Sequence, residues 1–238
     1  MIKNSFIFLG GIGYKKERAI WKQGLDDWNK FLEAGKVNGI SKKTKIFYDS
    51  ELRKAKKELY DLNANYFKLG IENWRLFDFF KEYSLFLDVE VDNRKEIIVI
   101  GLYDGYETKT MVRNINLDLK LLEKEIDRCK LLITFNGGAF DLPLLKKFGL
   151  KIDKAHIDLK HCCLKLGLNG GLKEVENKLK LNRPKHLNGH PIDLWKALYA
   201  SFDREYLELL VKYNEEDVIN LKFIMEYCYR ELRKRFFI

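Results

Sequence analysis

YSLFLDVEVD, residues Tyr83 to Asp92, is the stretch on which the reading of this chain turns. It has the composition of a β-strand, and strand side chains alternate between two faces. Leu85, Leu87, Val89 and Val91 then share one face, and Asp88 and Glu90 share the other. A solvated strand face ordinarily mixes Thr, Ser, Lys and Glu. Two carboxylates side by side repel, by about 4 kcal/mol for a pair 4 Å apart at an effective dielectric of 20. The pairing implies that something positive sits against them.

Downstream the pattern continues as strands. EIIVIGLY and TKTMVRNIN follow the polar turns DNRK and DGYE, which makes an antiparallel meander. LDLKLLEKEIDRC is a helix and KLLITFNG a fourth strand. DLPLLKKFG is a short helix, with proline in its first turn and Gly149 ending it. AHIDLK is a candidate fifth strand, and helices fill the rest, ending with DREYLELLVKYNEEDVINLKFIMEYCYRELRKRFF. The order βββαβα, then β and helices, predicts a mixed α/β sheet flanked by helices.

Upstream of Tyr83 the chain reads as helical. YKKERAIWKQGLDDWNKFLEA carries Ile20, Trp21, Leu25, Trp28 and Leu32 at helical spacing, interrupted by Gly24. A second amphipathic stretch follows, with a start expected at Ser50, and then IENWRLFDFFKEY. The expected division is a basic helical N-terminal region over 1–82 and an α/β domain over 83–238.

Lys and Arg number 44 against 35 Asp and Glu, a net charge of +9. Residues 1–83 hold 17 basic against 11 acidic side chains, so most of the excess lies away from the carboxylate-bearing strand. That balance favours a polyanionic partner, nucleic acid first, although a generally lysine-rich proteome gives the same excess. Hydrophobic residues make up 46% of the chain with only three prolines, enough for a sizeable core. Cys129, Cys162, Cys163 and Cys228 form no Cys-x-x-Cys and no disulfide framework, as in a reducing compartment. Cys162 and Cys163 with His186 and His190 make a poor zinc set, because adjacent cysteines lack the separation of ligand pairs. No run is long enough to span a bilayer, and MIKNSFIFLGGIG, read as a strand or turn, has no small-residue cleavage site. A cytoplasmic location is expected.

Two further acids join Asp88 and Glu90. Asp141 opens the helix after the fourth strand, in TFNGGAFD. Asp217 lies in YNEEDV on the last helix, where 3.6 residues per turn put Tyr213, Asp217, Leu221, Ile224 and Cys228 on one stripe. An acid on a core-facing stripe needs a partner, because an unpaired buried charge costs several kcal/mol or neutralises itself. Glu215 and Glu216 are expected on the solvent side. Convergence of Asp88, Glu90, Asp141 and Asp217 on two divalent cations satisfies all four, and hard oxygen ligands suit Mg²⁺ or Mn²⁺. Such a pair of ions clamps an in-line phosphoryl displacement. Tyr213, one helical turn before Asp217, is placed to orient the attacking water or pass its proton.

FLDVEV, TFNGGAFD and YNEEDV resemble, in order and placement, motifs I, II and III of the DEDD exonuclease superfamily. Motif III there is Tyr-x-x-x-Asp in one subgroup, and Tyr213 and Asp217 have that spacing. The stretches are similar in style to those of YprB-like, ribonuclease H-like proteins, many of which carry His where Tyr213 stands. The resemblance covers about residues 83 to 228. It implies a ribonuclease H-like fold with the first strand central. It also implies hydrolysis of phosphodiesters from the 3′ ends of DNA or RNA, single-stranded ends being the expected substrate. No membrane or small-molecule cofactor is expected. The alternatives are a non-catalytic nucleic-acid-binding accessory protein and an endonuclease of the same fold.

Gly11-Ile12-Gly13 precedes a helix. It lacks the third glycine of a dinucleotide fingerprint. Its glycine amides and the helix N-terminus can grip a phosphate, with Lys15, Lys16 and Arg18 beside them, or the segment is a tight turn ahead of a packing helix. Gly11, Gly13, Lys15, Lys16 and Arg18 are therefore candidate nucleic-acid contacts. Asn136 is another, as a sugar or phosphate contact or else a turn residue. Asp158 is a fifth acid near the site or a helix cap, Asp193 another cap, and His156 and His161 structural or surface residues.

Overall fold

The computed structural model describes residues 1–181, 183–184 and 190–237. The chain divides into two compact units, Met1–Lys81 and Glu82–Ile238.

In the first unit the segment read as a strand or turn is a turn, opening with a short 3-10 helix, Ile2–Asn4. Helices α1 (Tyr14–Trp21), α2 (Trp28–Glu33), α3 (Lys42–Tyr60) and α4 (Phe77–Phe80) follow, with 3-10 turns at Ala64–Phe67 and Gly70–Leu76. The expected break at Gly24 is real: its φ is +79°, and Asp27 restarts the chain by capping the amides of Asn29 and Lys30. The expected start at Ser50 is wrong. Ser41 accepts from the Thr44 amide and caps α3, while Ser50 is an exposed residue inside the helix. Phe6, Phe31, Trp28, Phe67, Leu52 and Trp74 are buried in this unit's core.

The second unit is built on five strands: β1 (Ser84–Val91), β2 (Ile97–Tyr103), β3 (Thr108–Val112), β4 (Leu131–Thr134) and β5 (Ala155–Asp158). Their order is β3-β2-β1-β4-β5. β1, β2 and β3 pair antiparallel, and β4 and β5 add parallel to β1. β1 is therefore central and marks the change from antiparallel to parallel pairing. Among the described residues, the helices of this unit are α5 (Leu119–Arg128), α6 (Asp141–Lys147), α7 (Leu159–Lys165), α8 (Leu172–Lys178), α9 (Pro191–Ser201) and α10 (Arg204–Phe236). Asp193 sits inside the first turn of α9, which begins at Pro191 with His190 as its cap residue. Among the described helices none is long and apolar enough to cross a membrane.

The two faces of β1 have the predicted character. Leu85, Leu87 and Val89 join Ile100, Leu102 and Met111 of the neighbouring strands in one core with Leu122, Ile126 and Leu145 from α5 and α6. Against the other sheet face, Trp195 of α9 and Leu210 of α10 pack on Ile98, Val99 and Val112. α10 also packs on β1 and α7. Its buried residues include Tyr213, Asp217, Leu221, Ile224 and Cys228, the stripe read from periodicity.

One glycine makes room for a side chain of α10. Gly101 of β2 pairs across from Asp88. A Cβ at this position would lie 2.1 Å from Oδ1 of Asn214 and 3.0 Å from Cγ1 of Val218. Any other residue must displace the Asn214 side chain, so the bare backbone at Gly101 makes room for the Asn214 contact with Asp88 between α10 and β1.

Candidate active site

Strand, turn and helix each bring an acid to one place. Asp88 and Glu90 project from the same face of β1, and Asp217 meets them from α10. One carboxylate oxygen from each lies within 4.8 Å of the other two. Asp141 stands beside this trio. Its Oδ1 accepts a hydrogen bond from the Val89 amide at 2.9 Å, between the two β1 acids. Its charge adds to the proton affinity of both Asp88 and Glu90.

The turn between β4 and α6 is built to place Asp141. Asn136 takes a left-handed φ of +62°. Asp158, at the end of β5, caps α7 through the Lys160 amide at 3.0 Å. The same carboxylate accepts from the amides of Asn136 at 2.8 Å and Gly138 at 3.2 Å. Gly137 donates its amide to Thr134 Oγ1 at 3.1 Å, and a Cβ there would collide with both Thr134 and Asp141. Thr134 in turn pairs with His156 Nε2 at 2.9 Å. Asp158 is thus a helix cap that also fixes the turn. His156 is a structural residue whose imidazole burial pushes downward, towards the neutral form. Asn136 shows the turn geometry, with its side-chain oxygen accepting from Lys160 at 3.2 Å.

The four acids are poorly solvated and close together, and their proton affinities follow. Burial, then repulsion from Glu90, Asp217 and Asp141, raises Asp88 well above the carboxylate range. Burial and Asp217 push Glu90 up to about 8. Burial pushes Asp141 up to about 7, against the hydrogen bonds from its own amide and Val89. Burial also raises Asp217, although Lys173 and Arg183 oppose the shift. Loss of hydration and like-charge repulsion each penalise the ionised form.

Several contributors were not legible as such. Lys173 of α8 and Arg183 both pair with Oδ1 of Asp217. Arg183 also holds Glu176, at 3.2 Å, and Asn220 donates to the same carboxylate at 3.0 Å. Both cations lie over the Tyr213 ring, 4.6 and 4.8 Å from its centroid. Asn214 donates to Asp88 Oδ2 at 2.9 Å. Tyr213 is buried one turn before Asp217. Burial, then Asp217 and Glu90, push its hydroxyl upward, so it remains a protonated donor near neutrality. Glu215 and Glu216 are half-buried rather than solvent-side, and Glu215 accepts from Thr108 at 3.0 Å.

The remaining candidates lie apart from this cluster in the sequence. In the first unit Gly11 has a φ of +79° and Gly13 is the N-cap residue of α1. Lys15 and Arg18 are exposed, and Lys16 lies over the Tyr48 ring at 5.7 Å. All four cysteines are buried thiols, and His161 and His190 are exposed. His186 lies outside the described residues. Among the described residues, the grouping of carboxylate, imidazole or thiolate side chains suited to a metal is Asp88, Glu90 and Asp217.

An all-oxygen, anionic donor set fits a hard divalent cation. No curated protein matches the chain in sequence. Residues 85–229, which include every carboxylate of the cluster, match the family model described as RNase_H superfamily. With β1 central in a mixed sheet and the acids gathered at one place on it, the chain belongs to the ribonuclease H superfamily.

Proposed function

We propose that this chain is a divalent-metal-dependent 3′→5′ exonuclease of the DEDD tyrosine subgroup, similar to YprB-like proteins, acting on DNA or RNA. The observation that carries the reading is the meeting of Asp88, Glu90 and Asp217 within 4.8 Å, with Tyr213 one turn ahead of Asp217. Asp88, Glu90, Asp217 and Asp141 would hold two ions, Mg²⁺ or Mn²⁺. When bound, these supply Lewis acidity toward a phosphodiester and its attacking water.

The chain's own residues divide the remaining work. Tyr213 keeps its proton and orients the nucleophile by donating from its hydroxyl, rather than acting as a base. Lys173 and Arg183 carry the positive charge nearest the carboxylates and are suited to phosphate oxygens. Asn214 fixes the rotamer of Asp88. Asn136, Gly11, Gly13, Lys15, Lys16 and Arg18 are assigned to strand contact, with 3′ single-stranded ends as the substrate.

A second reading has a specific observation behind it. Lys173 and Arg183 already neutralise Asp217, as they would in a non-catalytic nucleic-acid-binding protein. A 5′-labelled single strand incubated with Mg²⁺ or Mn²⁺ separates the two readings. The exonuclease gives a ladder shortening from the 3′ end and leaves a circular strand intact. Cutting of the circle assigns an endonuclease, and no cutting by wild type assigns the accessory role.

A further inference from the structure

We propose that the outward face of α3 is a binding site for single-stranded nucleic acid. The inference rests on the nuclease reading for the identity of the polyanion, but it concerns a different surface, wholly within the first unit.

Lys43, Ile46, Phe47, Arg53, Lys54 and Lys57 follow the i, i+3, i+4 pattern that puts side chains on one helix face. All six are exposed, Ile46 at 63% and Phe47 at 55%. The helix does not need these apolar residues for its own packing. Its opposite face already buries Tyr48, Leu52, Ala55 and Leu59. The acids of α3 are engaged: Asp49 with Lys45 at 2.6 Å, while Glu51 and Glu58, on the flank of this face, bond Tyr66 at 3.4 Å and Asn63 at 2.7 Å. The six positions of the face itself carry no carboxylate. From Lys43 to Lys57 it runs roughly 21 Å at 1.5 Å per residue.

Four cations interleaved with an exposed aromatic ring are the elements of a single-strand site: charge tracks the backbone and the ring stacks a base. In a duplex the bases are already stacked on one another, so Phe47 has nothing to add there. A lipid surface fits less well. Membrane-surface helices turn a broad apolar face to the bilayer, and the broad apolar face of α3 is buried in protein. Phe47 is held by an aromatic contact with the buried Tyr48, their ring centroids 5.9 Å apart, which limits the rotamer freedom lost on stacking.

The test is fluorescence anisotropy of the full chain with a labelled single-stranded 12-mer in EDTA, across a salt series. Without metal the readout does not depend on whether the carboxylate cluster cuts. Lys43→Gln/Arg53→Gln/Lys54→Gln/Lys57→Gln should flatten the log–log salt slope by about 0.7 per lost phosphate contact, up to about 2.8. Lys43→Arg/Lys54→Arg/Lys57→Arg keeps the charge and should keep the slope. Phe47→Ala should weaken single-strand binding about tenfold, leave binding of a duplex of equal length unchanged, and be rescued by Phe47→Trp. All the altered residues are exposed, and a thermal melt of each variant checks folding. An unchanged slope in the quadruple variant overturns the proposal. So does equal loss on single strand and duplex in Phe47→Ala. Tighter binding to vesicles containing phosphatidylserine than to the 12-mer, lost in the same variants, reassigns the face to lipid.

Discussion

Both units bury charge, and they do so in opposite ways. In the first, Arg75, Glu17 and Glu72 are buried together. Glu17 accepts from the Phe6 amide at 2.7 Å, the Ser5 hydroxyl at 3.0 Å and Arg75 at 2.8 Å. Glu72 accepts from Arg75 at 3.3 Å, Trp74 Nε1 at 2.9 Å and the Tyr14 hydroxyl. The guanidinium also lies against the Tyr14 and Trp74 rings. Each carboxylate has donors in place. In the second unit the donors are unevenly shared: Lys173 and Arg183 both serve Asp217, and Val89 serves Asp141. Among the described residues Glu90 has no hydrogen-bond donor, and Asp88 has Asn214 alone. Buried acids with a full donor set are architecture. Buried acids without one hold protons or an ion, and the raised proton affinities of Asp88 and Glu90 belong to that second kind. Asp217 lies between the two, since Lys173 and Arg183 oppose its shift.

The sharpest way to separate the two kinds is substitution. Asp141→Asn should abolish hydrolysis, because it removes one charge from the proposed ion-binding set. Melting of the metal-free protein should be unchanged or higher, since the variant relieves repulsion and its side-chain oxygen can still accept from Val89. Near-wild-type turnover would contradict the site assignment. Arg75→Met should do the reverse. It leaves two buried carboxylates without their cation and should cost about 3–5 kcal/mol in denaturant unfolding. A loss under 1 kcal/mol would remove the contrast between the units.

Tyr213→Phe probes the hydroxyl alone, since the ring stays. General acid–base assistance is typically about 10²- to 10⁴-fold, and a protonated orienting donor belongs at the lower end. Single-turnover rates should fall about a hundredfold with metal affinity retained. Full activity would take Tyr213 out of the mechanism, and lost metal affinity would make its role structural.

Gly101→Ala tests the approach of α10 to the sheet. Overpacking there should cost about 1–3 kcal/mol and shift the Asn214–Asp88 contact. Unchanged stability and metal response would mean that the Asn214 contact does not depend on the room at Gly101.

A further contrast lies in pH dependence without metal. Glu90 is raised to about 8 and Asp141 to about 7, while unfolded carboxylates titrate near 4. The folded state therefore binds more protons between those limits. The stability that these groups contribute is complete below about pH 4 and is lost as pH rises through 7 to 8. Melting of wild type in EDTA should fall, relative to Glu90→Gln/Asp141→Asn, between pH 5 and pH 8. Parallel profiles would mean that the acids are solvated.

What the sequence disclosed depended on whether a signal was local. The alternation in β1 put Asp88 and Glu90 opposite a row of aliphatic residues, and the strand's burial shows that split. The stripe through Tyr213 and Asp217 was legible because an acid among apolar residues at helical spacing is conspicuous. The sheet followed from strand lengths and turn residues, whereas its central strand came from the resemblance to ribonuclease H-like proteins, and the turn at Asn136 was one of two open readings. Lys173 and Arg183 were not legible: a lysine and an arginine among many look alike until a distant helix brings Asp217 to them. Gly101 left only the weak trace of a glycine inside a buried strand, and its partner Asn214 is 113 positions away. The start of α3 was misplaced because Ser41 and Ser50 are both plausible caps, and only the Thr44 hydrogen bond distinguishes them.

The most direct test of the account is whether the carboxylate cluster of the second unit binds a divalent cation. Melting of the full chain in EDTA, then with Mg²⁺ or Mn²⁺, measures it. An ion bound only by the folded cluster stabilises by about 2.7 kcal/mol at a hundredfold excess over its dissociation constant. The wild-type melting temperature should rise with metal, and the rise should disappear in Asp88→Asn/Asp217→Asn. An equal rise in that double variant would place the ion elsewhere and contradict the account.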